Sequence, residues 1–329
     1  MDVKFQVSKP ANLFHVVDNT SLWDEAHCRA NIRKWYEELF GLSAEDEMLL
    51  EKYATIRKKY GWKKLDSDFI PSRNYRQALS KARKRLKPSD FNALYEVIKH
   101  FSDNAGEMYS DTRPKLIRRK SNLEIEVQNH ELNKLFEDVA SFYGVKYYPK
   151  QFTAHLLLNA SDGSVGGGAN VEPRVHVTVE PLYLGEEKTE YLLTDIGSLS
   201  HEALHLIEDC TDIYDLEKYV GLTRRKGIRG FEEEILREAI AETLVPWGFL
   251  SVKYGLMNEP KILRCMDIPI KPPIDKKDYR QYRIDFRHKL AAHLYELTLK
   301  TLEKENSIFD GNYLETAIDI LIALRPYST

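Results

Sequence analysis

Cysteine is scarce here: Cys28, Cys210 and Cys265 are the only three in 329 residues, odd in number and far apart. That excludes a disulfide framework and a thiolate-rich metal site. No apolar stretch approaches the roughly 20 residues a membrane-spanning helix needs, so no membrane partner is expected. The opening run Met1-Asp2-Val3-Lys4-Phe5-Gln6-Val7 lacks the basic start and apolar block of a secretion signal, which makes cytoplasmic residence the default expectation. Internal repeats and low-complexity tracts are absent. Gly166-Gly167-Gly168 is not a phosphate-binding loop, because no lysine–serine pair follows it and no helix opens on it. Net charge is small as well, at −3, which argues against a dedicated nucleic-acid binder.

What remains is a globular chain, 43% hydrophobic and 30% charged, long enough to bury a sizeable core. The patterning predicts an α+β fold, predominantly helical, with a small mixed sheet. Residues 1–145 read as a mainly helical region, with helices over Asp24–Phe40, Ala44–Tyr60, Tyr75–Leu86, Asp90–Phe101 and Leu123–Tyr143. Breaks fall at Gly41, Gly61, Pro71, Pro88 and Pro114. Val3–Val7 and Phe14–Val17 have the residues of short strands. Residues 146–329 form the second predicted domain. It opens with strand-like Phe152–Asn159 and the alternating Arg174–Glu180, whose valines share one side. The glycine run between them reads as a mobile hairpin loop, while His155 and His176 read as packed strand residues.

Charge is uneven along the chain. Residues 52–120 hold 19 basic against 7 acidic residues, including Lys81-Ala82-Arg83-Lys84-Arg85 and Arg118-Arg119-Lys120, with Tyr53, Tyr60, Trp62, Tyr75 and Tyr95 interleaved. An anionic partner such as nucleic acid is conceivable, although a solvated helical surface is the plainer expectation.

The chemistry concentrates at His201-Glu202-Ala203-Leu204-His205. Two histidines four apart lie on one face of a helix, so both imidazoles can reach one zinc ion. Glu202 projects beside them, where it can take a proton from water at the metal. Ile196, Leu199, Ala203, Leu206, Ile207 and Cys210 recur at helical spacing beside the histidine face, and Glu202 is the only charge within four residues of His201. With uncharged Ser198, Leu199, Ser200, Ala203, Leu204, Leu206 and Ile207 around the histidines, this helix resembles that of the zincin superfamily of metallopeptidases.

A catalytic zinc site normally has a third protein ligand. Glycine at 208 and histidine at 211 would continue the metzincin motif; the chain has Glu208 and Thr211. Asp209, Asp212 and Asp215 are available downstream. The stronger candidate is Glu238, with Glu242 four residues later on the same helical face among Ala and Ile, where two carboxylates need a cation opposite them. Zinc bound by Glu238, with Glu242 turned onto a ligand histidine, would meet that need. The pair resembles the gluzincin pattern, in which a helix after HExxH supplies a glutamate ligand and then an acidic residue. Here the separation is longer and Ala239 replaces the usual glycine. Glu234 is the alternative ligand.

The resemblance implies a zinc-dependent peptidase acting on peptides or proteins, a substrate-binding edge strand beside the zinc helix, and a Tyr or His that steadies the oxyanion. The long helix expected over Asp278–Lys304 offers Tyr279, Tyr282, His288, His293 and Tyr295. Of these, Tyr282 and His293, three turns apart, are favoured. The alternatives are a non-catalytic zincin serving as an interaction module, or a nucleic-acid-associated protein using the basic 52–120 region.

Overall fold

The computed structural model describes residues 1–24, 28–160, 166–171, 175–228, 230–271, 276–304 and 306–325. Helices take 68% of the chain and strands 6%, so the architecture is predominantly helical α+β with one small mixed sheet. In chain order the elements are β1 (Asp2–Gln6), α1 (Lys9–Thr20), α2 (Ala30–Phe40), α3 (Ala44–Phe69), α4 (Tyr75–Arg85), α5 (Pro88–Asn129), α6 (Leu132–Phe142), β2 (Gln151–Leu156), β3 (Gly166–Val171), β4 (His176–Glu180), α7 (Thr189–Glu208), α8 (Ile213–Arg225), α9 (Phe231–Leu244), α10 (Phe249–Lys253), α11 (Lys276–Glu303) and α12 (Tyr313–Leu324). They gather into two compact units, each assembled from separated segments. The first comprises Met1, Gln128–Lys150 and Ser200–Thr329; the second comprises Asp2–Val127 and Gln151–Leu199. No helix among the described residues is long and apolar enough to cross a membrane.

In the second unit the sheet order is β1-β2-β4-β3, with β1-β2 and β2-β4 parallel and β3-β4 antiparallel. Phe152, Ala154, Leu156, Val177 and Val179 are buried, as alternation along β2 and β4 requires. His155 and His176 meet across the two strands, Nε2 to Nδ1 at 3.0 Å, and His155 is 1% exposed. Burial first, then His176, pushes the His155 pKa down from 6.5 to about 3.

Three local expectations are corrected. Phe14–Val17 is helical, not a strand: Ser8 caps α1 by accepting from the Ala11 amide, and Asn12 ties the helix to the sheet. Its amide group donates to the Leu156 carbonyl (3.2 Å) and accepts from the Leu158 amide (2.7 Å). Pro114 does not break the chain into two helices, since α5 runs through it for 42 residues. Proline costs one helical hydrogen bond there, but Tyr109, Thr112, Leu116 and Arg119 are buried on either side and hold the helix. The run Gly166–Gly168 lies in edge strand β3 rather than a loop. A Cβ on Gly166 would lie 2.1 Å from Arg29 Nη2 and 2.9 Å from Glu180 Oε2, so glycine there makes room for the Arg29–Glu180 ion pair (3.1 Å).

Two buried guanidinium groups organise this unit. Arg57 pairs with Asp18 (2.7 Å) and Asp66 (2.9 Å) beneath Trp23. Arg119, with no exposed surface, pairs with Asp195 of α7 and with Glu187 (3.1 Å), and donates to the carbonyls of Leu182 (3.1 Å) and Glu186 (2.7 Å). It thereby fixes the 181–187 connection that leads into α7. Arg118-Arg119-Lys120 is therefore not a uniform basic cluster, because its middle member faces inward.

In the first unit α11 packs most extensively against α9 and also against α12. Leu236, Ala239, Ile240 and Leu244 of α9 are buried, as are Leu290, Ala291 and Leu294 of α11. Past α9 the chain folds back so closely that a Cβ on Gly248 would lie 1.9 Å from the Thr243 carbonyl oxygen.

Candidate metal centre

On α7, Ala203, Leu206 and Ile207 are fully buried, which turns the adjoining face, carrying His201 and His205, toward α9 of the same unit. Both imidazole side chains are 15% exposed, and Glu238 of α9 meets them. Glu238 Oε2 lies 3.2 Å from His201 Nε2, Glu238 Oε1 lies 3.4 Å from His205 Nε2, and the two Nε2 atoms are 3.2 Å apart. Among the described residues this is the group of three histidine, cysteine or acidic side chains whose ligand atoms all lie within 4.8 Å of one another.

The remote ring nitrogens decide what those Nε2 atoms present. His201 Nδ1 is 3.2 Å from the Val245 carbonyl oxygen, and His205 Nδ1 is 3.1 Å from Glu208 Oε2. Both partners are acceptors, so each Nδ1 carries a proton, and in the neutral ring each Nε2 turns a lone pair inward. Two lone pairs and a carboxylate then converge on one point, an arrangement that repels itself unless a cation or protons on the rings sit between them. Zinc with bonds of about 2.0–2.1 Å in tetrahedral geometry would set its ligand atoms about 3.3 Å apart, matching the spacing found. The donor set fits the ion.

Protons on the rings answer the same need for positive charge. Burial disfavours charge on His205, yet hydrogen bonds with Glu208 and Glu238 outweigh it and hold its pKa well above the usual value. His201 shifts up in the same balance, burial against Glu238. Burial opposes ionisation of Glu238 too, but the two histidines hold its carboxyl well below the ordinary range. The Glu202 pKa rises, chiefly through burial, against the pull of His201 and His205. Glu208 is drawn down to about 2 despite burial, by His205 and by Arg237. That guanidinium clasps both carboxylate oxygens, Nε to Oε1 at 2.8 Å and Nη2 to Oε2 at 2.9 Å.

His201, His205 and Glu238 thus lie together, with Glu202 next in sequence to His201. Glu242 is 3% exposed and turns to α11 rather than to either of these histidines: Arg287 Nε is 2.9 Å from its Oε1, at an angle unsuited to a hydrogen bond, and His288 Nε2 is 3.5 Å away. The Val245 carbonyl orients His201 instead. Tyr282 lies among aromatic rings, 6.3 Å from Phe231 and 6.0 Å from Phe286. His293 is lowered in pKa by burial and then by Lys289. Neither makes a hydrogen bond, ion pair or ring contact with His201, Glu202, His205 or Glu238 among the described residues. At about 100° per residue they sit roughly 120–140° around α11 from Arg287, whose Nη1 is 3.7 Å from Glu238 Oε2. The described contacts therefore do not bring this pair to the ligand side chains. Glu234 pairs with Arg283, Asp212 caps α8 by accepting from the Tyr214 amide (2.8 Å), and Asp209 lies 3.8 Å from Arg237.

Sequence reasoning missed Glu208, Val245 and Arg287. Glu208 was legible, since it follows His205 by three on the same helix face. A backbone carbonyl leaves no mark in a sequence, and Arg287 had nothing to set it apart from its charged neighbours. No known family model, curated protein or solved structure matches this chain.

Proposed function

We propose that this protein is a zinc-dependent metallopeptidase with a gluzincin-like ligand set of His201, His205 and Glu238. The observation that carries the reading is the convergence of two Nε2 atoms and one carboxylate within 3.2–3.4 Å of one another, each imidazole held from behind by an acceptor. A zinc ion at that point supplies the charge that acidifies water and polarises a peptide carbonyl. Glu202 then takes a proton from the attacking water and delivers it to the departing amine nitrogen as the C–N bond breaks. Glu208 and the Val245 carbonyl keep the ligand imidazoles in one tautomer and one orientation. Arg287, held by the buried Glu242, steadies the Glu238 carboxylate from 3.7 Å.

The test combines metal analysis with turnover of a mixed peptide library. Wild-type protein is expected to hold one zinc per chain and cleave peptides. Glu202→Gln is expected to keep the metal and lose hydrolysis, and His201→Ala to lose the metal. Unchanged hydrolysis in Glu202→Gln, or near-stoichiometric zinc in His201→Ala, overturns the proposal. Retained zinc with no wild-type turnover leaves a non-catalytic metal-stabilised module.

A further inference from the structure

The second unit carries a surface of one sign that the metal centre does not use. Between residues 58 and 89 the only acids are Asp66 and Asp68, and both turn inward. Asp66 is 16% exposed and paired with Arg57, while the Asp68 side chain has no exposed surface and faces Arg85 at 3.4 Å. Lys59 is matched by Asp90 (2.6 Å). Eight other cations, Lys58, Lys63, Lys64, Arg73, Arg76, Arg83, Lys84 and Lys87, are exposed and have no ion pair among the described residues.

Helices α3 and α4 carry six of these cations, all but Arg73 and Lys87. α3 and α4 pack on each other, and Arg85 Nη1 donates to the Lys64 carbonyl at 3.3 Å. That bond sets the 63–64 basic pair of α3 beside the 83–85 run of α4. Like charges gathered in this way repel one another, and a polyanion relieves the repulsion while releasing its own counterions.

The composition of the face selects the partner. Among the described side chains, no exposed large hydrophobic one falls between residues 58 and 89, and the exposed uncharged residues include Asn74, Gln77 and Ser80. A membrane-surface helix needs apolar side chains to bury, a protein interface needs an apolar centre, and single-strand recognition needs exposed aromatic rings for stacking. Its described exposed side chains are chiefly cations and hydrogen-bonding groups, the chemistry of phosphate contact without base reading. We propose that the α3–α4 hairpin binds the phosphate backbone of a nucleic-acid duplex independently of sequence.

The test is fluorescence anisotropy of full-length protein with labelled DNA and RNA duplexes of unrelated sequence across a salt series. The probes distinguish the two sources of the same backbone chemistry. Binding is expected to weaken steeply with salt and to vary little with sequence. The combined substitution Lys63→Gln, Arg76→Gln, Arg83→Gln and Lys84→Gln is expected to weaken binding more than about tenfold at low salt and to flatten the log–log salt slope by about 3–4. A control with Arg224→Gln, Arg225→Gln and Lys300→Gln, exposed cations of the first unit, is expected to bind like wild type. No salt-dependent duplex binding, equal losses in variant and control, tighter binding to a single-stranded oligonucleotide, or equal retention by phosphatidylserine vesicles would each overturn the proposal. Circular dichroism of the variant confirms that its fold is retained.

Discussion

Removing Glu208 isolates the part of the metal centre that touches no metal. Its carboxylate holds the His205 Nδ1 proton at 3.1 Å and is gripped through both oxygens by Arg237. Glu208→Gln leaves a neutral acceptor for His205 but frees a guanidinium charge next to the donor triangle. Glu208→Ala removes the acceptor as well, and the imidazole then has no reason to prefer the tautomer whose Nε2 lone pair points inward. Losing a group that orients a metal-bound histidine typically costs about 10–100-fold in affinity, or about 1.4–2.8 kcal/mol. The expected order of zinc affinity is wild type, then Glu208→Gln about tenfold weaker, then Glu208→Ala nearer a hundredfold. Competition against a chromophoric chelator measures this, with circular dichroism establishing that each variant is folded. If folded Glu208→Ala binds zinc within about twofold of wild type, the imidazoles are not held as argued.

Two more outcomes follow from the packing. Gly248→Ala puts a Cβ 1.9 Å from a backbone oxygen, so the turn after α9 must shift and carry the Val245 carbonyl away from His201. Lower thermal stability together with weaker zinc binding is expected, and an unchanged melting temperature would show that the turn yields freely. His155 gives a pH effect. Its folded pKa of about 3 lies below the usual 6.5, so between those values the unfolded chain binds a proton that the folded chain does not. Stability should therefore fall as pH drops through this window, by up to about 1.4 kcal/mol per unit from this residue. Denaturant titrations at pH 7, 6 and 5 check it, and His155→Gln should flatten the trend; an identical slope in that variant would show that other groups dominate.

The helices of the site were legible because their signals are periodic. His201 and His205 sit one turn apart, and Leu236, Ala239, Ile240 and Leu244 mark the buried side of α9, placing Glu238 at its edge. The oxyanion candidates had no such signal: α11 distributes aromatic and charged residues around its circumference, and counting turns from Tyr282 to His293 says nothing about which side meets α9. Phe14–Val17 has β-forming residues, but the Ser8 cap and the Asn12 contacts override that preference. Pro114 was read by its local cost alone, whereas packing on both sides of it decides the outcome. The excess of base in 52–120 was visible in composition, but its arrangement was not. Only the fold shows that Asp66 and Asp68 withdraw from the surface while Arg119 withdraws from the other basic run.

Arg119 recognises the segment before α7 chiefly through main-chain oxygens, those of Leu182 and Glu186, besides the carboxylates of Glu187 and Asp195. Main-chain oxygens are the same whatever residues bear them, so the side chains at 182 and 186 are free to drift over evolutionary time. The number of residues between them is not. A single-residue insertion would move one oxygen out of reach of a rigid, five-donor fork, leaving a buried cation short of partners. This stretch should accept varied spelling while tolerating no change in length.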